Sequence, residues 1–196
     1  MIIREDEKKI VKGLIDGKVI AIKTDTVYGL ICNAFDKNAT EKIYDIKKRE
    51  HKKPIAIFIK SIDDIKNYVD LDSISNKAID IMKKKWPGAL TIIFKKKKGI
   101  LDNITCCSEY IGIRIPNDEL LLSVMSKTKF PLAETSCNIS GEREYTNAST
   151  INDKLGSEID YIVDGGEIIN NVASTVIKIE NDDINVIRQG DIKIDE

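Results

Sequence analysis

The sequence predicts an α/β fold, a mixed parallel and antiparallel sheet with flanking helices, in one domain over residues 1–196. Three observations predict it. Short apolar runs such as Val19–Ile22, Ile55–Ile59 and Leu90–Phe94 have the length and β-branched content of buried strands. Longer segments between them repeat apolar residues every three to four positions, the period of an amphipathic helix. Strands and helices alternate early and strands crowd late, which argues for a mixed sheet rather than an all-parallel one. A chain of 196 residues fits one domain and buries roughly 70% of its unfolded surface, so it needs no covalent staples.

In chain order, Glu5–Gly17 reads as a helix with Ile10, Val11, Leu14 and Ile15 on one face and Gly17 placed to end it. Val19–Ile22 is a strand, and Lys23-Thr24-Asp25-Thr26-Val27-Tyr28-Gly29-Leu30 is its polar exit. Asn38 and Glu41 suggest a capping-box start for a second helix through Ile43, Tyr44 and Ile46, which runs into basic residues and stops at Pro54. After strand Ile55–Ile59, Ser61 and Asp64 suggest a short helix to Tyr68, and Ser75–Trp86 a longer one broken by Pro87-Gly88. Strand Leu90–Phe94 runs into Lys95–Lys98, read as a hairpin tip or solvated edge. Ile111–Pro116 is a strand with Arg114 inside it, and Asp118 caps a helix carrying Leu120, Leu121, Leu122, Val124 and Met125. Pro131–Ala133, Tyr161–Val163, Val176–Ile179 and Ile184–Ile187 are strands, with a weak helix near Ile151–Leu155.

Composition excludes several classes of function. Lys and Arg total 31 against 32 Asp and Glu, so bulk charge favours no polyanionic partner. His51 is the only histidine, which rules out a His-based metal site or a Ser-His-Asp triad. Cys32, Cys106, Cys107 and Cys137 form no C-x-x-C pair. Residues 1–6 do not resemble a signal peptide, and no apolar run reaches the roughly 18 residues of a membrane span. The expected location is the cytoplasm, with reduced thiols and no membrane contact.

Four strand-end clusters carry the chemistry. The octet at Lys23–Leu30 crowds three hydroxyls and a carboxylate at a strand mouth, where open α/β sheets make ligand sites, though a Thr-rich turn explains it equally. Lys47 and Arg49, two apart before Pro54, suit a triphosphate as point charge and fork, or complement a helix dipole. Ser136 and Asn138 share a side on an extended backbone and suit a sugar, a phosphate or an amino-acid headgroup, or a capping turn. Arg114 between isoleucines needs an anion, either a ligand or an internal carboxylate. Arg188 and Ser174-Thr175 repeat the pattern near the C-terminus. Together they describe a cleft for a small, multiply anionic ligand, without a P-loop or dinucleotide glycine motif.

The octet, Lys47-x-Arg49 with Pro54, Trp86–Thr91, Ile113–Pro116, Thr135–Gly141, Ser174-Thr175-Val176 and Arg188-x-Gly190 occur in the order of the YrdC-like family. The chain thus resembles the L-threonylcarbamoyl-AMP synthases over nearly its whole length, in their short form. The resemblance implies a twisted, open mixed sheet with a large, positively lined concave cavity. It implies a nucleotidyltransferase that makes threonylcarbamoyl-AMP and pyrophosphate from L-threonine, bicarbonate and ATP, with Mg²⁺ on the phosphates. A partner transferase complex would then carry the group to tRNA, and weak binding of tRNA or double-stranded RNA is also implied. By motif position, Thr26, Arg114 and Ser174 correspond to threonine contacts. Arg49, Lys53, Ser136, Asn138, Thr146 and Arg188 correspond to ATP contacts, with Lys47 and Arg49 carrying the catalytic role and no protein metal ligands. Phe58 and Tyr110 stand where longer members have His and often Thr. The competing readings are an RNA-binding protein that uses the concave surface directly and a catalytically silent paralogue.

Overall fold

A computed structural model describes residues 1–180 and 182–194. Its described strands are β1 (Ile2–Arg4), β2 (Ile20–Lys23), β3 (Tyr28–Asn33), β4 (Ala56–Phe58), β5 (Leu90–Lys95), β6 (Tyr110–Arg114), β7 (Leu132–Ser136), β8 (Tyr161–Asp164), β9 (Thr175–Glu180) and β10 (Asp183–Arg188). They join in one sheet in the order β1-β8-β2-β3-β7-β4-β6-β5-β9-β10. Parallel pairs (β1/β8, β2/β8, β4/β6, β5/β9) are mixed with antiparallel ones, so the mixed α/β sheet expected from the sequence is the one that forms. The described helices are α1 (Glu7–Ile15), α2 (Lys37–Lys47), α3 (Asn76–Lys85), α4 (Asp102–Thr105), α5 (Glu119–Thr128) and α6 (Ala148–Leu155).

The helices divide between the two faces. Ile10 and Leu14 of α1 and Leu121, Val124 and Met125 of α5 pack on Ile20, Ile22, Ile31, Phe58, Leu132 and Val163. Ile43 and Ile46 of α2, Met82 of α3 and Ile151 and Leu155 of α6 pack on Ile57, Ile92, Ile113 and Ile177 of the opposite face. Each such fully buried aliphatic side chain contributes about 1.5–3 kcal/mol. α1 and α5 touch each other and cover the β8-β2-β3 side of their face. The same face over β4, β6, β5 and β9 carries a cavity instead.

Local chemistry sets the helix starts. Asp6, Ser75, Asp118 and Asn147 each accept a main-chain N–H from three residues on, the bond that satisfies an otherwise orphaned donor. The second helix begins earlier than its Asn38/Glu41 pattern predicts. Asp36 is the cap, accepting the Ala39 N–H at 3.1 Å. Two strands lay outside the sequence reading. β1 is only three residues long, and β3 lies inside the polar octet and continues past it, buried on both sides so that no alternation marks it. The Lys95–Lys98 run is not all solvated either: Lys96 is buried and pairs with Asp102 at 2.5 Å. Among the described residues no helix is long and apolar enough to cross a membrane.

Candidate active site

Strand register builds the floor of the cavity. Glu134 of β7 lies opposite Ala56 of β4, and Ala56 adjoins Gly112 of β6. Gly112 in turn lies opposite Ile93 of β5, which pairs with Lys178 of β9. All five line the cavity. Gly112 and Ala56 are what keep its centre open, since a Cβ at Gly112 would already stand 3.3 Å from the Ala56 methyl. A second row supplies Arg114, Thr91, Val176 and Arg188, with Val176 opposite both Thr91 and Arg188. The cavity holds about 570 Å³, in the range of small-ligand sites.

Arg114 is fixed from three directions. Its Nη2 meets Asp25 Oδ1 at 2.5 Å, its Nη1 donates to Thr26 Oγ1 at 3.0 Å, and its Nε donates to the Gly88 carbonyl at 2.9 Å. The guanidinium also lies 5.5 Å from the Phe58 ring centroid. Of the two readings of Arg114, the internal carboxylate is present as Asp25, and the guanidinium also lines the cavity. Asp25 also accepts the Asn117 N–H at 3.0 Å, so this ion pair ties the β2–β3 loop across to the end of β6. Thr24 organises that loop from within, with Oγ1 donating to the Val27 carbonyl at 2.7 Å and accepting the Thr26 N–H at 3.1 Å.

Lys47 sits beneath the wall rather than on it. It is the last residue of α2 and 1% exposed, and Lys48 turns left-handed at φ 48° to bring Arg49 round. The Lys47 ammonium donates to the carbonyls of Ser136 and Asn138 and to Asn138 Oδ1. Burial and the nearby Arg49 guanidinium pull its pKa down to about 8. The Ser136 hydroxyl and the Asn138 amide do meet, as their spacing suggests, but on a turned rather than an extended backbone. The chain turns after Ser136, because the two carbonyls converge on one ammonium and the Asn138 N–H bonds Ser136 O. Ser136 Oγ donates to Asn138 Oδ1 at 2.7 Å and remains in the cavity wall.

Arg49 and Arg188 differ from Arg114 in having no described carboxylate partner. Arg49 donates to the carbonyls of Lys53 and Pro54 at 3.0 and 2.9 Å. Arg188 donates twice to the Ser174 carbonyl, at 3.1 and 2.9 Å, and once to Ser174 Oγ, which also bonds Thr91 Oγ1 at 3.0 Å. Lys178 is compensated by Glu180 at 2.8 Å and stacks 3.6 Å from the Tyr110 ring centroid. Thus Thr26, Arg49, Arg114, Ser136, Ser174 and Arg188 come together in one wall. Lys47 and Asn138 support it from behind. Lys53 and Thr146 do not line the cavity: Lys53 pairs with Glu50 at 3.0 Å, and the Thr146 carbonyl accepts the Ile168 N–H.

Sequence reasoning missed Glu134, Thr91 and Lys178 as wall residues, and Tyr110, marked there only as a departure from longer members, lines the wall as well. Glu134 had a signal, a carboxylate two residues before Ser136, hence on the same side of the strand. Burial pushes its carboxyl pKa up, against the pull of Arg114, Arg188 and Lys47. The buried Cys137 thiol is pushed up to about 12, so it is a poor nucleophile at neutral pH.

A family model described as Sua5_yciO_yrdC, Telomere recombination, matches residues 12–190. A relative from Methanocaldococcus jannaschii, provisionally named a threonylcarbamoyl-AMP synthase, is 39% identical, over 97% of this chain and 90% of its own. The Pyrococcus abyssi threonylcarbamoyl-AMP synthase is 33% identical over 99% of this chain, which spans 57% of that longer protein. Among solved structures, P. abyssi Sua5 complexed with L-threonine superposes with a TM-score of 0.87, at 32% identity, over 97% of this chain and 56% of that one. Escherichia coli YciO superposes at 0.85, with 26% identity, over 97% of this chain and 94% of its own. The chain belongs to the YrdC/Sua5 family of threonylcarbamoyl-AMP synthases.

Proposed function

We propose that this cavity is where the chain, acting as a single domain, makes threonylcarbamoyl-AMP and pyrophosphate from L-threonine, bicarbonate and ATP. One observation carries the reading. Two guanidiniums without a carboxylate partner among the described residues, Arg49 and Arg188, share a wall with the compensated Arg114 and the hydroxyls of Thr26, Ser136 and Ser174. Arg49 and Arg188, with Ser136, hold the triphosphate, and Arg114, Thr26 and Ser174 hold threonine.

The reaction brings two anions together. Threonine and bicarbonate give a carbamate, whose oxygen forms a bond to the α-phosphorus as the bond to the β-phosphate oxygen breaks and pyrophosphate leaves. Fixed guanidiniums screen the approach and stabilise charge on the departing group. Lys47 acts by fixing Ser136 and Asn138, so its charge lies just behind the phosphate subsite. No step needs a nucleophilic side chain, in keeping with the raised Cys137 thiol. Mg²⁺ travels with the triphosphate: Glu134 is the one acidic side chain of the wall, and no cluster of three His, Cys, Asp or Glu among the described residues makes a metal cage. A partner transferase would take the product to tRNA, and the cytoplasm is the fitting compartment.

Purified protein given ATP, threonine and bicarbonate with Mg²⁺ should release pyrophosphate, and omission of any one substrate should abolish release. No pyrophosphate with all three present, under any divalent metal, would reject the synthase reading.

A further inference from the structure

The wall contains one group that the steps above leave unused. Glu134 projects from β7 between Ile31 of β3 and Ala56 of β4, and among the described residues it is the one acidic side chain lining the cavity. Gly29 leaves it space: a Cβ there would lie 3.5 Å from Glu134 Oε1. Arg114, Arg188, Lys47 and Arg49 are the cations whose fields reach it, yet each is held by other groups, Arg49 by the carbonyls of Lys53 and Pro54. Arg114 pairs with Asp25, Lys47 donates to Ser136 and Asn138, and Arg188 donates to Ser174. Glu134 forms no ion pair with any described residue, and burial and charge rather than a hydrogen bond govern its titration. A carboxylate held in a ligand cavity without a protein partner is costly unless something arrives to meet it.

Of the three substrates of the proposed reaction, only the amino acid brings a positive charge. We propose that Glu134 receives the α-ammonium group of threonine and accepts the proton that must leave it before the nitrogen can attack. This rests on the synthase reading of the same cavity. One proton passes from nitrogen to a Glu134 oxygen. The freed lone pair then forms the N–C bond to the bicarbonate carbon, the carbon–hydroxyl bond breaks, and that oxygen leaves as water with a second proton from nitrogen. The proton on Glu134 exchanges with solvent. A carboxyl group whose pKa is raised by burial is a better proton acceptor than an exposed one. Arg114 for the carboxylate, Thr26 or Ser174 for the hydroxyl and Glu134 for the ammonium would together read each polar group of the amino acid.

The test compares L-threonine with 3-hydroxybutyrate, which keeps the carboxylate and the hydroxyl but lacks the amine. By calorimetry the wild type should prefer threonine by on the order of 10–100-fold, the loss expected when a charge-assisted bond is removed. Glu134→Gln should bind the two ligands alike while holding 3-hydroxybutyrate and ATP within a few-fold of wild type. Its kcat should fall even at saturating threonine, and Glu134→Asp should restore part of both losses. Equal weakening of both acids would assign Glu134 a structural role only, and an undiminished preference would remove it from the amine; either overturns the proposal. Should Glu134→Gln fail to fold, the preference measured in Glu134→Asp decides the same question: reduced supports it, intact overturns it. An active wild type with an unaffected Glu134→Gln sinks this inference alone, whereas a wild type that releases no pyrophosphate sinks the synthase reading.

Discussion

Arg114→Ala should melt about 6–20 °C below the wild type. The side chain is 2% exposed and bonds Asp25, Thr26 and the Gly88 carbonyl, so its removal strands Asp25, whose side chain is only 12% exposed. Breaking a buried pair by deleting one member costs about 3–5 kcal/mol. In a domain of this size each kcal/mol lowers the midpoint by about 2–4 °C. The cause is the unpaired carboxylate, which makes the effect reversible in a specific way. Adding Asp25→Asn to the Arg114→Ala protein should recover part of the loss, although Asp25→Asn alone is destabilising. Such non-additivity is the signature of two groups in direct contact. If Arg114→Ala melts with the wild type, the ion pair contributes nothing to the fold, and Arg114 is held by the cavity alone.

Lys47→Met should cost less, with a different local consequence. Methionine fills most of the volume but leaves the carbonyls of Ser136 and Asn138 and Asn138 Oδ1 without their shared donor. Asn138 Oδ1 keeps the Ser136 hydroxyl and the Ser136 carbonyl keeps the Asn138 N–H, so among the described residues the Asn138 carbonyl is the acceptor left orphaned, at a cost of about 1–3 kcal/mol. Relief from burying an ammonium offsets part of this, as the pKa lowered to about 8 implies. A net loss of about 1–3 kcal/mol is expected. The turn after β7 should loosen first, because the ammonium is what gathers its two carbonyls. Hydrogen exchange would locate the change: faster exchange of the Asn138 and Ser140 amides, with β5 and β6 protected as before. Uniformly faster exchange across the sheet would mean that Lys47 supports the fold at large and not this turn.

The sheet was legible because its strands are short apolar runs with clear breaks, and because helices separate the early ones. What escaped is instructive. β3 hid inside the octet since Tyr28, Gly29 and Leu30 are all buried, so neither face alternates. The pairing of Asp25 with Arg114 joins residues 89 apart in sequence, and nothing local in either stretch names the other. The Asn38/Glu41 pattern put the start of α2 two residues late, because the loop geometry places Asp36 at the cap. Ser136 and Asn138 do bring their side chains together, but not on the extended backbone their spacing suggests. The two-residue rule assumes a continuing strand, and a buried lysine from another element ends that strand. Glu134 was visible as a letter but not as a wall residue, because its exposure to the cavity depends on Ala56 and Gly112, the small residues of two neighbouring strands.

The most direct test of one cavity with two substrate subsites is a crossed calorimetric titration. ATP and threonine are titrated separately into Arg49→Ala and Arg114→Ala, at a temperature where both variants are folded. Arg49→Ala should lose on the order of 10–100-fold in affinity for ATP and keep its affinity for threonine, and Arg114→Ala should do the reverse. Equal losses of both ligands in both variants would contradict the division of the wall, and unchanged binding of both would place the substrates somewhere other than this cavity.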